Sequence, residues 1–116
     1  MKDLIKFFSK QIILAKKYGV KDIIIDPGLG FSKTLEQNYE IVSKLKLLET
    51  LESPILIGAS RKSMLYNLLN IKASESLNAT SVINTISLMK GANILRVHDV
   101  KEAVEVRKII SKIDLN

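Results

Sequence analysis

The feature that most constrains the fold is a short run of buried-type residues that occurs three times, each time closely followed by residues with polar or charged side chains. The runs lie at residues 23–25, 55–57 and 94–95, and the third strand is expected to extend to Val97. The first run is made of isoleucines without alternation, which is typical of a strand covered on both faces in a parallel sheet. Because parallel strands end at one rim, the polar residues after the runs are expected to face a common site.

Amphipathic segments of helical periodicity separate these runs. The predicted helices lie at 3–18, around Ile41 to Leu48, at 62–70, from Ser74 or Ser76 to Gly91, and from Asp99 onward, where the serines and Asp99 are the expected caps. With the two helices between the second and third runs counted as one, the predicted order is α-β-α-β-α-β-α. Such alternation requires right-handed crossovers and parallel strands. The sequence therefore predicts an α/β protein that forms one structural unit over residues 1–116.

Composition narrows the classes of function. The 116 residues are 47% hydrophobic and include no cysteine, so neither a disulfide nor a thiolate metal site is expected, and a reducing, cytoplasmic location is favoured. No apolar run approaches the roughly 20 residues of a membrane span. The 18 basic and 12 acidic residues give a net charge of +6, but the lysines are scattered rather than clustered. We expect neither a nucleic-acid partner nor a membrane.

Asp26 ends the first run and begins an Asp-Pro-Gly sequence. Turn chemistry explains this pattern, because aspartate bonds its own backbone and Gly28 supplies a positive φ. A second interpretation is a carboxylate that accepts paired N–H donors from a heterocycle, which Gly28 and Gly30 allow to approach the backbone closely. Phe31 and Lys33 then lie on a loop that could close over this ligand.

The second and third runs end in cationic residues. Residues 58–62 read Gly-Ala-Ser-Arg-Lys and suit anion binding at a helix start, although solvated surface cations explain them equally well, and the spacing is not that of a Walker motif. Arg96 and His98 lie on the same side of a strand, which favours an anion clamp over a structural histidine. With one histidine in the chain and no serine elbow, a hydrolytic triad is not supported.

Together and in this order, the three segments resemble dihydropteroate synthase. They are residues 26–34, Asp-Pro-Gly-Leu-Gly-Phe-Ser-Lys-Thr, residues 58–63, Gly-Ala-Ser-Arg-Lys-Ser, and residues 96–100, Arg-Val-His-Asp-Val. Related pterin-binding methyltransferases share an aspartate but are not expected to carry the last two segments together. Two positions depart from the family pattern: Ser32 replaces glycine or alanine, and Ser76 replaces arginine. The resemblance covers essentially the whole chain and implies the last three βα units of a (β/α)8 TIM barrel, an incomplete barrel of parallel strands.

The resemblance implies a transferase of folate biosynthesis and a sulfonamide target, which joins 4-aminobenzoate to a hydroxymethyl-dihydropterin diphosphate and releases diphosphate. By motif, the pterin contacts Asp26 and Lys62, and the diphosphate contacts Arg96 and His98, with Arg96 also stacking on the pterin. The aminobenzoate pocket is bordered by Phe31, Ser60 and Lys62. Lys62, Arg96 and His98 are the implied catalytic residues. The implied substrate-binding residues are Asp26, Phe31, Gly58, Ser60, Lys62, Arg96 and His98.

The resemblance also implies that three strands lack parts of the complete site and of the closed barrel. The family uses Mg²⁺, but the expected ligand lies outside this chain, and no metal site is expected within it. Three strands leave two unpaired edges, which invite association. We expect the chain to self-associate or to require a complementary amino-terminal fragment, and to be inactive alone. The alternatives are a non-catalytic truncated module with weak pterin or anion binding, and a relative of the pterin-binding methyltransferases.

Overall fold

The computed structural model describes residues 1–113, in which helices surround a small parallel sheet. In chain order the elements are α1 (Lys2–Lys17), α2 (Leu35–Ser43), a first 3₁₀ helix (Leu45–Leu51), β1 (Leu56–Ile57), α3 (Ser63–Leu69), a second 3₁₀ helix (Ala73–Glu75), α4 (Leu77–Met89), β2 (Ile94–Leu95) and α5 (Val100–Ser111). The α/β class predicted from the sequence is confirmed.

β1 is the central member of the sheet. It pairs in parallel with β2 on one side and, through an isolated parallel bridge, with the segment at Ile25 on the other. The paired residues are Leu56 with Ile94, Ile57 with Leu95, and Ile25 with Ile55. Both backbone groups of Ile25 are bonded to the neighbouring strand: its N–H donates to Pro54 O and its carbonyl accepts from Leu56 N, each at 2.8 Å. The prediction of parallel pairing is therefore confirmed.

The outer segments are shorter than the sequence predicts. The run at 23–25 contributes only the bridge at Ile25, and β2 ends at Leu95 rather than at Val97. Ile24 is 56% exposed, so the expectation that this run is covered on both faces is wrong. Within residues 1–113 no further strand pairs with the outer edge of this segment, which leaves that side without cover.

The helix predicted around Ile41 to Leu48 is divided in two. α2 ends at Ser43, and the chain continues as the first 3₁₀ helix. The Ser43 hydroxyl donates to Tyr39 O at 2.8 Å, a side-chain bond that competes with the helical backbone pattern and bends helices. Leu45 and Leu48 are nevertheless fully buried, because both still face the core.

Two predicted helix caps form other bonds instead. Ser76 directly precedes α4, but its hydroxyl donates to Ala73 O at 2.6 Å and does not cap the helix, while Ser74 lies within the second 3₁₀ helix. Asp99 directly precedes α5, and its carboxylate binds the Arg61 guanidinium rather than the helix N-terminus. A charge-assisted, two-point bond to arginine is stronger than a cap bond to a neutral N–H, which explains the preference.

The core lies between the sheet and α2, α3 and α4. Its fully buried side chains include Ile25, Leu29, Leu45, Leu48, Ile55, Ile57, Met64 and Leu65. α1 contributes no fully buried residue and packs by its first turns, where Leu4, Ile5 and Phe8 reach the core. Among the helices of residues 1–113, none has the length and apolar content needed to cross a membrane.

Candidate functional site

The carboxyl ends of the three sheet segments meet at one rim, as the sequence predicts. Asp26 follows the segment at Ile25, residues 58–62 follow β1, and Arg96 follows β2. Arg96 Nη1 donates to Asp26 Oδ2 at 2.9 Å, so these two side chains meet across the whole width of the sheet. The rim is therefore a continuous surface rather than three separate loops.

Gly58 makes this crossing possible. A Cβ at Gly58 would lie 2.5 Å from Arg96 Nη2 and 2.9 Å from Arg96 Cζ, which is closer than atoms approach in proteins. The guanidinium therefore passes over the central segment only because position 58 has no side chain. Glycine is required at position 58 because a side chain there would collide with Arg96. Its backbone conformation does not require glycine, because its φ does not lie in the left-handed region.

Asp26 takes part in both arrangements that its sequence suggested. Its Oδ1 accepts from Gly28 N at 2.8 Å, which is the turn interaction expected of Asp-Pro-Gly. Its Oδ2 is bound by Arg96 and is partly open to solvent, with 35% of the side chain exposed. The same carboxylate thus orders the turn and faces the rim.

Ser60 and His98 are directly bonded. Ser60 Oγ lies 2.7 Å from His98 Nδ1, and the His98 backbone N–H donates to the same oxygen at 3.2 Å. Ser60 is buried, whereas the His98 ring is exposed toward the rim. The serine therefore supports the histidine from below and leaves the other side of the ring accessible.

Lys62 lies at the centre of the rim. Its Nζ donates to Leu29 O at 2.5 Å and lies 4.7 Å from the centroid of the Phe31 ring, a cation–π contact. Burial lowers the pKa of Lys62 below its usual value, and repulsion from the Arg96 cation lowers it further. Lys33 Nζ donates to Gly28 O at 2.8 Å, so both lysines hold the glycine loop in place.

Two clefts open on either side of Lys62. One, of about 140 Å³, is lined by Gly58, Ser60, Lys62, Arg96, Val97 and His98. The other, of about 270 Å³, is lined by residues that include Leu29, Phe31, Lys62 and Tyr66. Asp26 adjoins the first cleft through its bond to Arg96. The structure thus brings together all seven residues that the sequence singled out.

Four residues at the rim escaped the sequence-based selection. Arg61 binds Asp99 through two bonds of 2.7 and 3.2 Å, and its backbone N–H donates to Thr80 Oγ1 at 3.1 Å. Buried Asn38 accepts from Gly30 N at 2.8 Å. Arg61 and Asp99 lie 38 residues apart, as do Ser60 and His98, and this repeated interval was the available signal. Nothing in the local pattern marked Thr80 or Asn38.

The residues present do not fit a magnesium site. Mg²⁺ is bound by several oxygen ligands, and carboxylates are its preferred protein donors. The rim offers Asp26, whose carboxylate already accepts from Arg96 and Gly28, and Asp99, which is held by Arg61. Residues 1–113 contain no cluster of three or more potential ligands among histidine, cysteine, aspartate and glutamate. No step of the chemistry is therefore assigned to a metal held by this chain.

Comparison with known proteins identifies the family. The model of the family described as pterin binding enzyme matches residues 1–98. Dihydropteroate synthase of Escherichia coli is 39% identical over 107 residues, covering 90% of this chain and 38% of that protein, and the synthase of Clostridium beijerinckii is 43% identical over 112 residues, covering 94% and 42%. The chain thus spans about two fifths of the length of these relatives and corresponds to a carboxyl-terminal part of them.

Solved structures agree with the sequence comparison. Yersinia pestis dihydropteroate synthase, solved with a sulfonamide drug, superposes with a TM-score of 0.93 at 38% identity, covering 97% of this chain and 42% of that one. The Clostridium difficile synthase, solved in the presence of pteroic acid, gives 0.94 at 36% identity, covering 100% and 45%. The chain belongs to the pterin binding enzyme family, and the relatives that it matches there are dihydropteroate synthases.

Proposed function

We propose that this chain is the carboxyl-terminal part of a dihydropteroate synthase and forms the last three βα units of its (β/α)8 TIM barrel, as a single partial domain over residues 1–116. The complete enzyme would join 4-aminobenzoate to a hydroxymethyl-dihydropterin diphosphate and release diphosphate. The observation that carries this proposal is the shared rim, where two cations and a histidine line a cleft of about 140 Å³ and one carboxylate adjoins it through its bond to Arg96. The expected cytoplasmic location stays a prediction.

The diphosphate would bind between Arg96 and His98. Both side chains line the same cleft, and Arg96 is half exposed, so a guanidinium that exchanges Asp26 for an oxyanion could form two-point bonds with it. The nearby Lys62 cation adds positive potential. Negative charge grows on a departing diphosphate, and cations placed beside it stabilise that charge. These three residues would therefore lower the barrier to departure of the diphosphate.

The pterin would bind against Asp26 and Lys62. A carboxylate accepts two N–H donors of a heterocycle, and Asp26 presents the oxygen that Arg96 now occupies. When Arg96 turns to the ring or to the diphosphate, this oxygen becomes available. Lys62, which is partly buried, holds the glycine loop that follows Asp26 through its bond to Leu29 O.

The aminobenzoate would bind on the other side of Lys62, in the cleft lined by Phe31; Ser60, which the resemblance also assigns to this pocket, lines the first cleft instead. The Phe31 ring is 63% exposed and faces Lys62 Nζ, which suits a flat aromatic ligand that carries a carboxylate. The chemistry requires the weak amine nucleophile to be held beside the carbon that loses diphosphate. Two clefts that share one lysine provide this arrangement, because each substrate then lies on one side of Lys62.

The complementary amino-terminal barrel segment is the proposed partner of the open sheet edges. On one side Tyr18, Val20 and Ile24 are exposed, and on the other an apolar groove of about 220 Å³ is lined by residues that include Leu95 and Val97. The chain spans 38% of the Escherichia coli synthase, so the remainder of such a barrel would lie against these two edges. Without it, the rim lacks the residues that the other strands supply, and we expect no turnover.

A chimera tests this proposal. This chain replaces the corresponding segment of the Escherichia coli synthase, and dihydropteroate formation is measured with Mg²⁺ and both substrates. We expect turnover from the chimera and none from the chain alone, and we expect sulfonamide to inhibit the chimera. Lys62→Ala and Arg96→Ala chimeras should lose most of the turnover, whereas Lys72→Ala, which changes an exposed lysine away from the rim, should not. An inactive but folded chimera would contradict the proposed function.

Light scattering tests the proposed partner. Mixed with the amino-terminal segment of the Escherichia coli synthase, this chain should form a one-to-one complex. Complexes between copies of this chain alone would instead indicate self-association through the same edges. The proposed docking would be refuted if the chain stayed monomeric in the presence of that segment and the backbone amide of Ile24 were strongly protected from hydrogen exchange.

A further inference from the structure

Two neighbouring residues after β1 each bind a residue after β2 at the same sequence interval. Ser60 binds His98, and Arg61 binds Asp99, each across 38 residues. The paired residues of β1 and β2 follow the same register. The parallel ladder therefore continues beyond the strands as two rungs made of side chains. We call the four residues the rim clamp.

The first rung places Ser60 Oγ beside the ring nitrogen Nδ1 of His98. Ser60 Oγ accepts the His98 backbone N–H at 3.2 Å and lies 2.7 Å from Nδ1. Ser60 is 5% exposed, and within residues 1–113 the acceptor within reach of its hydroxyl hydrogen is Nδ1. A neutral imidazole has one donor and one acceptor nitrogen. With Nδ1 accepting, the ring hydrogen lies on Nε2.

The second rung holds the loop that carries Ser60. Arg61 has a φ of 55°, in the left-handed region that disfavours residues with a Cβ. Its guanidinium is fixed by two bonds to Asp99, and its N–H donates to Thr80 Oγ1 on α4. Asp99 does not cap α5, because its carboxylate is bound to Arg61. A strained residue that neighbours the site and is held from two sides indicates a positioning role.

We propose that Ser60 and Arg61 are positioning residues that hold His98 as its Nε2–H tautomer and so present a neutral hydrogen-bond donor to an oxyanion at the rim. His98 then donates to the anion without needing a positive charge, while Arg96 in the same cleft supplies the charge. That the oxyanion is a diphosphate rests on the proposed function. The tautomer of His98 and the rim clamp do not rest on the proposed function.

The tautomer is measurable in this chain without any substitution. His98 is the single histidine of the sequence, so ¹⁵N-histidine labelling gives one pair of ring nitrogen resonances. Long-range ¹H–¹⁵N correlation, recorded in alkaline solution where an imidazole is neutral, distinguishes a protonated from an unprotonated ring nitrogen. We expect Nε2 protonated and Nδ1 unprotonated. A protonated Nδ1 in the wild type would overturn the inference.

Three variants test the separate rungs. Ser60→Ala removes the donor to Nδ1, and we expect the ratio of Nε2–H to Nδ1–H tautomer to fall several-fold and the affinity for inorganic pyrophosphate to fall with it. Arg61→Gly relieves the backbone strain but removes the clamp, so the same ratio should fall although the chain stays folded. Ser111→Ala removes an exposed hydroxyl from α5, bonded to Lys108 O, and should change neither quantity. An unchanged ratio in Ser60→Ala or Arg61→Gly would refute the role of that residue.

The outcomes separate this inference from the proposed function. A chain with the expected tautomer whose chimera is inactive supports the clamp and contradicts the synthase proposal. An active chimera with protonated Nδ1 supports the synthase proposal and overturns the clamp.

Discussion

Replacement of Gly58 by alanine tests how the rim is assembled. The new methyl group would lie 2.5, 2.9 and 3.0 Å from Nη2, Cζ and Nε of Arg96. Ordinary contact requires about 3.5 Å, so the guanidinium must move by about 1 Å. The bond from Arg96 to Asp26, now 2.9 Å, would then leave hydrogen-bonding range. The substitution should displace the cation that we assign to the diphosphate and leave the fold in place.

The effects on stability and on binding should differ in size. The Arg96–Asp26 pair is 52% and 35% exposed, so its loss should cost only about 0.2–1 kcal/mol in free energy of unfolding. A charged hydrogen bond to a ligand contributes about 1.5–3 kcal/mol, so loss of its alignment should weaken binding roughly 10-fold to 100-fold. Urea unfolding of this chain and pyrophosphate titration of the chimera measure the two quantities.

Gly19 is the matched control. It has a φ of 87° with no atom within 4 Å of an added Cβ, so Gly19→Ala introduces backbone strain without a clash and lies away from the rim. We expect it to lower stability by about 1 kcal/mol and to leave binding unchanged. Gly58→Ala should show the opposite pattern. Normal pyrophosphate binding by the Gly58→Ala chimera, or an intact Arg96–Asp26 bond in its crystal structure, would refute the space argument.

Further predictions concern the core and two titrating side chains. Leu48→Ala, at a fully buried site, should lower the free energy of unfolding by about 2–5 kcal/mol, whereas Leu47→Ala, at a 49% exposed neighbour, should stay within about 0.5 kcal/mol; urea unfolding compares them. Burial lowers the pKa of Lys62 below 10.5, so the unfolded chain binds this proton more tightly and the residue's contribution to stability rises with pH up to 10.5. Wild type should therefore gain stability relative to Lys62→Met as the pH rises toward 10.5, and a flat difference would contradict this. The hydrogen bond from Arg61 lowers the pKa of Asp99 below 3.8, so the stability of wild type over Asp99→Asn should be complete above pH 3.8 and vanish as the pH falls through the lowered value. A difference that persists in stronger acid would show that the carboxylate charge is not its source.

The local sequence pattern correctly predicted the features of this structure that follow from strands running in the same direction. The polar residues after 23–25, 55–57 and 94–95 do meet at one rim, because parallel segments share their carboxyl ends. The even spacing of Arg96 and His98 correctly placed both side chains at one cleft. In contrast, Asp99 was expected to cap α5 and instead binds Arg61, and Ile24 was expected to be covered and is exposed.

The sequence by itself determined the residue types at the rim and the common interval of 38 residues that aligns the loops after β1 and β2. Only the tertiary structure decided which partner each side chain takes. Arg96 reaches Asp26 because Gly58 leaves the space between them open, and Asp99 turns away from its helix because a left-handed Arg61 brings a guanidinium within reach. Periodicity along the chain carries no information about such vacant space or about competition between partners, since both depend on residues that meet only after folding.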